Sequence, residues 1–347
     1  MRDEQFLAHS DLYPLSKYVS ELRTSLPADA FQPARSRLLF IPAHLAVVVM
    51  ATIAVAAGWL PWPLVPVASL AIGTSFACLA FVAHEALHGG VVRGKRAKYV
   101  VGLIGFFAFM VSPRLWVAWH GRVHHGNTNL PNDPDMYPSL EEYKASRTVR
   151  IATDSFSLGG RRWTGVLSLI LGFTVQSANQ LASAQKVGFL SASQHRRAIA
   201  ETALAFAVWA GVAAAVGFVP FLFVYVLPLL IGNAIVMAFI LTNHSLSPRV
   251  SVNDPLVSGL SVTTPAWYEW LTLNFGMHVE HHVFPAMSSR HARAVRDLLQ
   301  KHWPQRYQSM PLSKALLQLH RTPRVYKDAV TLVDPRTGRE FPTLLPG

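Results

Sequence analysis

Long uncharged apolar runs alternate along this chain with short polar and basic stretches, the pattern of a protein that crosses a bilayer several times. A helical crossing needs about 20 apolar residues, because the hydrocarbon core is about 30 Å thick. The first run, 38–60, is entered through Arg35 and Arg37 and closes at Trp59-Leu-Pro-Trp-Pro63. Tryptophans suit the membrane interface and prolines suit a tight reversal, so 64–83 is read as the returning helix. The run 203–243 carries no formal charge and is broken at Gly217-Phe-Val-Pro220. It predicts two further crossings, at about 199–218 and 220–243. Two shorter apolar runs are too short to span: 99–113 is expected to be interfacial or re-entrant, and 166–175 a helix lying in the interface or covering the site. Residues 127–162 read as a polar insertion, and 289–302 as a helix of the tail.

The basic clusters lie on one side of this arrangement. Arg93-Gly-Lys-Arg-Ala-Lys98 and His195-Arg-Arg197 fall on it, whereas the turns at 59–63 and 217–220 carry no Lys or Arg. That bias assigns the basic side to the cytoplasm. The expected fold class is therefore all-α integral membrane: four transmembrane helices, interfacial helices and a cytoplasmic cap. The expected division is an N-terminal cytoplasmic segment 1–37, a membrane domain 38–290 and a cytoplasmic tail 291–347. The polar segment 1–37 lacks the early apolar core of a secretory signal.

Composition sharpens this reading. The chain is 51% hydrophobic and 14% charged, against roughly 25% charged in an ordinary soluble domain. The net charge of +12 belongs to loops beside anionic lipid rather than to a nucleic-acid-binding domain, for which no soluble basic region is large enough. A single cysteine, Cys78, excludes a disulfide framework, a cysteine-rich zinc site and an iron–sulfur module from this chain.

The candidate chemistry is in the histidines. His84-Glu-Ala-Leu-His88, His120-Gly-Arg-Val-His124-His125 and His278-Val-Glu-His281-His282 hold eight of the fifteen histidines. Neutral imidazole is the commonest protein metal ligand. Residues four apart share a helix face, which pairs His84 with His88, His120 with His124, and His278 with His282. His125 is turned about 100° from His124 and is free to face a different ion. Eight imidazoles exceed what one ion accepts, so two metals are expected, with His244 as a candidate ninth ligand. Counting crossings places all of them on one membrane face. Spacing alone leaves zinc, copper, iron and nickel open. Glu85, Glu280 and Asn274 are candidates for orienting the ligands. Asp133 and Asp135 read as turn-shaping residues, and Trp116 and Trp119 as interfacial anchors, with tunnel lining as a second reading. His9, His44, His195, His291, His302 and His320 follow no ligand spacing and read as structural.

The order HEALH, HGRVHH, HVEHH with apolar runs between resembles the membrane fatty-acid desaturases and the related hydroxylases and carotenoid ketolases. The resemblance covers about residues 38–290. It includes His125-Gly-Asn-Thr-Asn129, Asn132-Asp-Pro-Asp135, Asn274 and His281-His282-Val-Phe-Pro285. It implies a four-span, cytoplasm-facing enzyme with two irons, which uses O2 and two electrons to remove hydrogens from a lipid- or thioester-linked acyl chain. Carried over, the ligands are His84, His88, His120, His124, His125, His278, His281 and His282, with His244 matching a further histidine of acyl-CoA desaturases. Those relatives place an asparagine four residues before it, where this chain has Ile240, leaving Asn243 or Asn274 for that role. The third box opens with His rather than the Gln of many front-end desaturases, which counts against that subgroup. The electron donor is expected to be a separate ferredoxin or cytochrome. The alternatives are a lipid hydroxylase or ketolase of the same kind and, from other classes, a zinc-dependent membrane hydrolase or a non-catalytic metal-binding protein.

Overall fold

Hydropathy and capping together decide where the helices of this chain run. The computed structural model describes residues 5–346, apart from the side chain of His9. Four helices among them are long and apolar enough to cross a membrane: Arg35–Ala56, Trp62–His88, Ala192–Val216 and Phe218–His244. They are termed spans 1 to 4. Three begin or end several residues beyond the apolar runs, because local backbone chemistry rather than hydropathy sets the ends. Span 2 continues through the first histidine box and stops where Gly89 adopts φ +103, a left-handed conformation that favours glycine. Span 3 starts behind a reciprocal capping box in which Ser191 and Gln194 bond each other's backbone. It therefore takes His195, Arg196, Arg197 and Glu201 into the helix ahead of the apolar run.

The chain forms two compact units. One comprises Pro33–Gly121 and Ile170–Met237, and so contains spans 1 to 3 and most of span 4. Span 1 exposes most of its apolar surface, only 6% of its most apolar window being buried, whereas 72% of that window is buried in span 2. A helix apolar all round must be covered on every side by protein or lipid; span 2 is covered by protein. Against it packs the helix Lys95–Phe106, at a distance only a glycine permits. A Cβ on Gly105 would lie 2.3 Å from the Leu79 carbonyl oxygen and 2.6 Å from Ala83 Cβ. Both obstacles belong to a rigid helix, so neither can give way. Gly105→Leu is expected to prevent accumulation of folded protein, read as loss of the monodisperse peak in detergent size-exclusion chromatography.

The short run 99–113 takes the re-entrant form. Lys95–Phe109 and Pro113–Asn127 make a helix pair bent by 106°. Met110 sits at φ 57 in the bend, and Pro113 opens the second helix, where its missing N–H costs nothing. The bend is pinned by Glu201, which accepts from Tyr99 Oη at 2.7 Å, Ser112 Oγ at 2.6 Å and Arg114 Nε at 2.5 Å. The run 166–175 is helical but broken, as Val166–Ile170 and Gly172–Ser183. Asn233 holds the second piece, accepting from the Thr174 N–H and donating to Thr174 Oγ1, each at 3.1 Å.

The other unit comprises Met1–Gln32, Arg122–Leu169 and Ala238–Gly347. Segments on either side of the spans thus fold together with the third histidine box. The N-terminal helix Leu15–Leu22 buries Tyr18 and Leu22 in one core with Val279 and Val283 of the box helix His278–Val283 and Val295 and Leu299 of the tail helix Ala292–His302. Two small sheets tie the tail down: Ser261–Thr263 runs parallel to Ser309–Pro311, and Thr331–Val333 antiparallel to Glu340–Pro342. Asp254, fully buried, accepts from the Tyr13 N–H at 2.7 Å, Tyr18 Oη at 2.9 Å and Arg306 Nη2 at 2.5 Å. Removing one partner of a buried pair leaves the other charge uncompensated. Asp254→Ala is expected to cost about 3–5 kcal/mol, measured by denaturant unfolding in micelles.

Candidate metal centre

The second histidine box lies in Val117–His124, which is π-helical rather than α-helical. The extra residue per hydrogen-bonded ring alters which side chains share a face, and such stretches are frequent at functional sites. The boundary between the two units falls inside this turn, after Gly121, so the histidines on either side of it are described with their own units.

In the unit of the membrane spans, His84 and His88 project from the last turn of span 2. Their ring centroids lie 4.8 Å apart, and 5.2 and 5.6 Å from that of His120. One candidate ligand nitrogen from each of the three lies within 4.8 Å of the other two. Trp116 packs edge-on against His84 and His88 at 5.1 Å and lies tilted over His120 at 4.5 Å. Trp116 and Trp119 are buried, at 3% and 2% exposure, and so are not interfacial anchors. The bend before Pro113 turns their helix inward, and Trp116 becomes a wall of the histidine cluster. Glu85 lies 3.9 Å from Arg37 Nε.

The other unit gathers His124, His125, His244, His278, His281 and His282. Three of these rings have their Nδ1 directed at an acceptor. His124 Nδ1 lies 3.0 Å from Asp133 Oδ1. His244 Nδ1 lies 2.8 Å from the Ser258 carbonyl oxygen. His282 Nδ1 lies 3.3 Å from Thr128 Oγ1, whose own proton is given to the His124 carbonyl at 2.9 Å. A carbonyl, a carboxylate and a hydroxyl already donating elsewhere can only accept, so each Nδ1 carries a proton, and on the neutral His282 ring Nε2 is left with a lone pair. One ligand nitrogen from each of His124, His244 and His282 lies within 4.8 Å of the other two. His244 Nε2 is 3.2 Å from His282 Nε2 and 2.6 Å from His278 Nε2. Three ring nitrogens so close together repel one another unless a proton or a metal cation lies among them. The donor set fits a metal ion on that ground. His125 and His281 bring their Nε2 atoms to 3.2 Å, and His125 stacks on His282 at 4.3 Å.

The electrostatics divide the candidate ligands. Burial opposes a charge on His124, but Asp133 and Asp135 outweigh it and push the ring up to about 9, so a metal ion must displace a proton there. Burial pushes His281 down to about 3, with the neighbouring His124 and His244 adding to the effect. Burial and four surrounding histidines, His278 foremost, hold His282 well below its ordinary value. Both rings are thus neutral across the physiological range, as metal binding requires. Burial opposes the charge on Asp133, but His124 and the Asn129 and Asp135 N–H groups outweigh it and hold the carboxyl below the usual carboxylate range.

Asp133 thus does more than shape the Asn132–Asp135 turn: it accepts from the Asn129 and Asp135 N–H groups at 2.8 and 3.0 Å and orients His124 as well. Thr128 and the Ser258 carbonyl act similarly on His282 and His244. The residues expected to orient ligands are engaged elsewhere as well. Glu280 accepts from Ser261 Oγ and Tyr307 Oη at 2.5 Å and from Arg296 Nε at 3.0 Å. Asn274 donates to the Ser289 carbonyl at 3.0 Å, and Asn243 is fully buried beside His244. His44 meets Ser75 Oγ at 3.1 Å and His195 the Leu181 carbonyl at 2.8 Å, ordinary structural contacts.

Residues 57–313 match the family model described as "Fatty acid desaturase". With most of its length covered, the chain belongs to the fatty acid desaturase family. It is 24% identical over 259 residues to the chloroplastic omega-6 fatty acid desaturase of Arabidopsis thaliana, covering 70% of this chain and 55% of that protein. It is 25% identical over 266 residues to the sn-1 oleoyl-lipid 12-desaturase of Synechocystis sp., covering 71% of each. Over 128 residues it is 30% identical to the sn-1 acyl-lipid omega-3 desaturase (ferredoxin) of Nostoc sp. strain 36, covering 36% of this chain and 35% of that protein. The chain spans about half the length of the plant relatives it matches.

Proposed function

We propose that this protein is an O2-dependent desaturase of acyl chains, using two irons held by its histidines. The observation that carries the reading is the trio His124, His244 and His282, each with Nδ1 directed at an acceptor and each with one ligand nitrogen within 4.8 Å of the other two. In this reading the trio holds one ion, His84, His88 and His120 serve the other, and His125, His278 and His281 complete the ligand set. Bound iron supplies the oxidising power, with O2 and two electrons, to remove two hydrogens from an unactivated methylene pair. The chain's own residues hold His281 and His282 neutral, orient His124, His244 and His282 through their Nδ1 atoms and wall the cluster with Trp116. Acyl lipids are the favoured substrates, since relatives are named as acyl-lipid desaturases. A separate ferredoxin is the favoured donor, since the Nostoc relative is named with one. The histidines are assigned to the cytoplasmic face; the basic clusters at 93–98 and 195–197 support that side by the basic-residue bias.

The test is expression in a heterologous host with a ferredoxin reductase system, followed by mass spectrometry of the total lipids with and without oxygen. Acyl chains lighter by two hydrogens, formed only with O2, are expected. A gain of one oxygen would reassign the protein as a hydroxylase, and products formed without O2 would refute an oxidase altogether.

A further inference from the structure

The chain places two fully buried carboxylates beside its candidate ligands, and one stretch of the tail reaches both. Glu280 lies on the box helix between His278 and His281, and is 0% exposed. Its carboxylate accepts from Tyr307 Oη, Arg296 Nε and Ser261 Oγ. Asp254 is equally buried and accepts from Arg306 Nη2 and Tyr18 Oη. Its side chain also accepts from the Leu256 N–H at 3.2 Å, and its carbonyl from the Ser258 N–H and hydroxyl, each at 2.9 Å. Asp254 thereby shapes the turn Pro255–Ser258, and the Ser258 carbonyl at its end accepts from His244 Nδ1. Arg306 and Tyr307 are consecutive, so a single turn of backbone grips both carboxylates. Directly beyond it, Ser309 pairs with Ser261 in the parallel ladder, and Ser261 Oγ also accepts from the Val279 N–H inside the box helix at 3.0 Å.

We propose that Arg296, Arg306 and Tyr307 form a two-pronged latch that positions the metal ligands, one prong on the helix bearing His278, His281 and His282, the other on the turn that orients His244. The proposal rests on those histidines holding metal. None of the latch residues is given a role in ligation. They act through Glu280, Asp254 and the backbone, fixing how closely the four imidazoles approach one another. Outer partners of metal ligands ordinarily alter affinity about 10- to 100-fold. Tyr307 also lies in the apolar core of the unit, so removing a latch contact is expected to loosen the ion beyond what an equal loss of core packing does.

The test uses the full chain in detergent, loaded anaerobically with ferrous iron, and follows the rate at which a chromogenic chelator strips the metal. Tyr307→Phe and Arg296→Gln are expected to release iron at least about tenfold faster than the parent, with Arg296→Lys between them and the parent. Leu299→Ala, which removes a core side chain from the same tail helix, is expected to lower the melting temperature yet release iron at the parental rate. The latch is overturned if Tyr307→Phe and Arg296→Gln release iron at the parental rate. It is equally overturned if Leu299→Ala is as leaky as they are, because general loosening would then explain the effect. His281→Ala tests the underlying reading: parental iron retention in that variant would refute the ligand assignment itself. Should Tyr307→Phe fail to accumulate, Ser261→Ala removes another donor to Glu280 and carries the same expectation.

Discussion

Changing His124 to Ala is expected to remove bound iron and with it all double-bond formation. The ring is 3% exposed, its Nδ1 is engaged by Asp133, and one of its nitrogens lies within 4.8 Å of a ring nitrogen of His244 and of His282. Its loss deletes one ligand and at the same time deprives a buried carboxylate of its partner, so the site loses geometry as well as a donor. Product should fall more than about a hundredfold, beyond the range that outer partners alone produce. The measurement is iron per polypeptide by elemental analysis beside the lipid profile of expressing cells. A variant that kept the parental iron content and product would remove His124 from the ligand set.

Asp133→Asn is expected to weaken metal binding about 10- to 100-fold while leaving the chain folded. The carboxylate accepts three N–H donors: His124 Nδ1 and the Asp135 N–H on Oδ1, and the Asn129 N–H on Oδ2. An amide offers one acceptor oxygen and one NH2. In either flip, the NH2 faces a donor that the carboxylate satisfied. One orientation sets it against the Asn129 N–H; the other sets it against His124 Nδ1 and favours the tautomer with its proton on Nε2, the nitrogen needed for metal. Each buried donor left without an acceptor costs about 1–3 kcal/mol. Competition titration with a chelator reads the affinity directly. Parental affinity in Asp133→Asn would show that Asp133 shapes the loop and nothing more.

Much of this was legible along the chain, and the exceptions have physical reasons. The apolar runs located the four spans because bilayer thickness imposes a length on any crossing helix, and the boxes stood out because imidazoles are rare and were clustered. The helix ends were less visible, since Gly89 and the Ser191–Gln194 box act through backbone conformation and hydropathy does not register it. The orienting partners were harder still. Thr128 reaches His282 across 154 residues, and the group that orients His244 is a backbone carbonyl, which has no residue identity to read. Trp116 and Trp119 carried the composition of interfacial anchors. Only the bend at 110–113 decides that they face inward. The π-helical turn of the second box left no mark in its residue types.

The unit that holds six of the nine candidate ligands is closed by segments that lie on opposite sides of the four spans in the chain, and this constrains the order of its folding. The helix Leu15–Leu22 is made before span 1, yet it shares a core with Val295 and Leu299 and bonds Asp254, all made after span 4. The early helix must wait, unpacked, until residues 254–299 have been made. With iron as the proposed ion, loading is then expected to follow synthesis of all four spans rather than to accompany it.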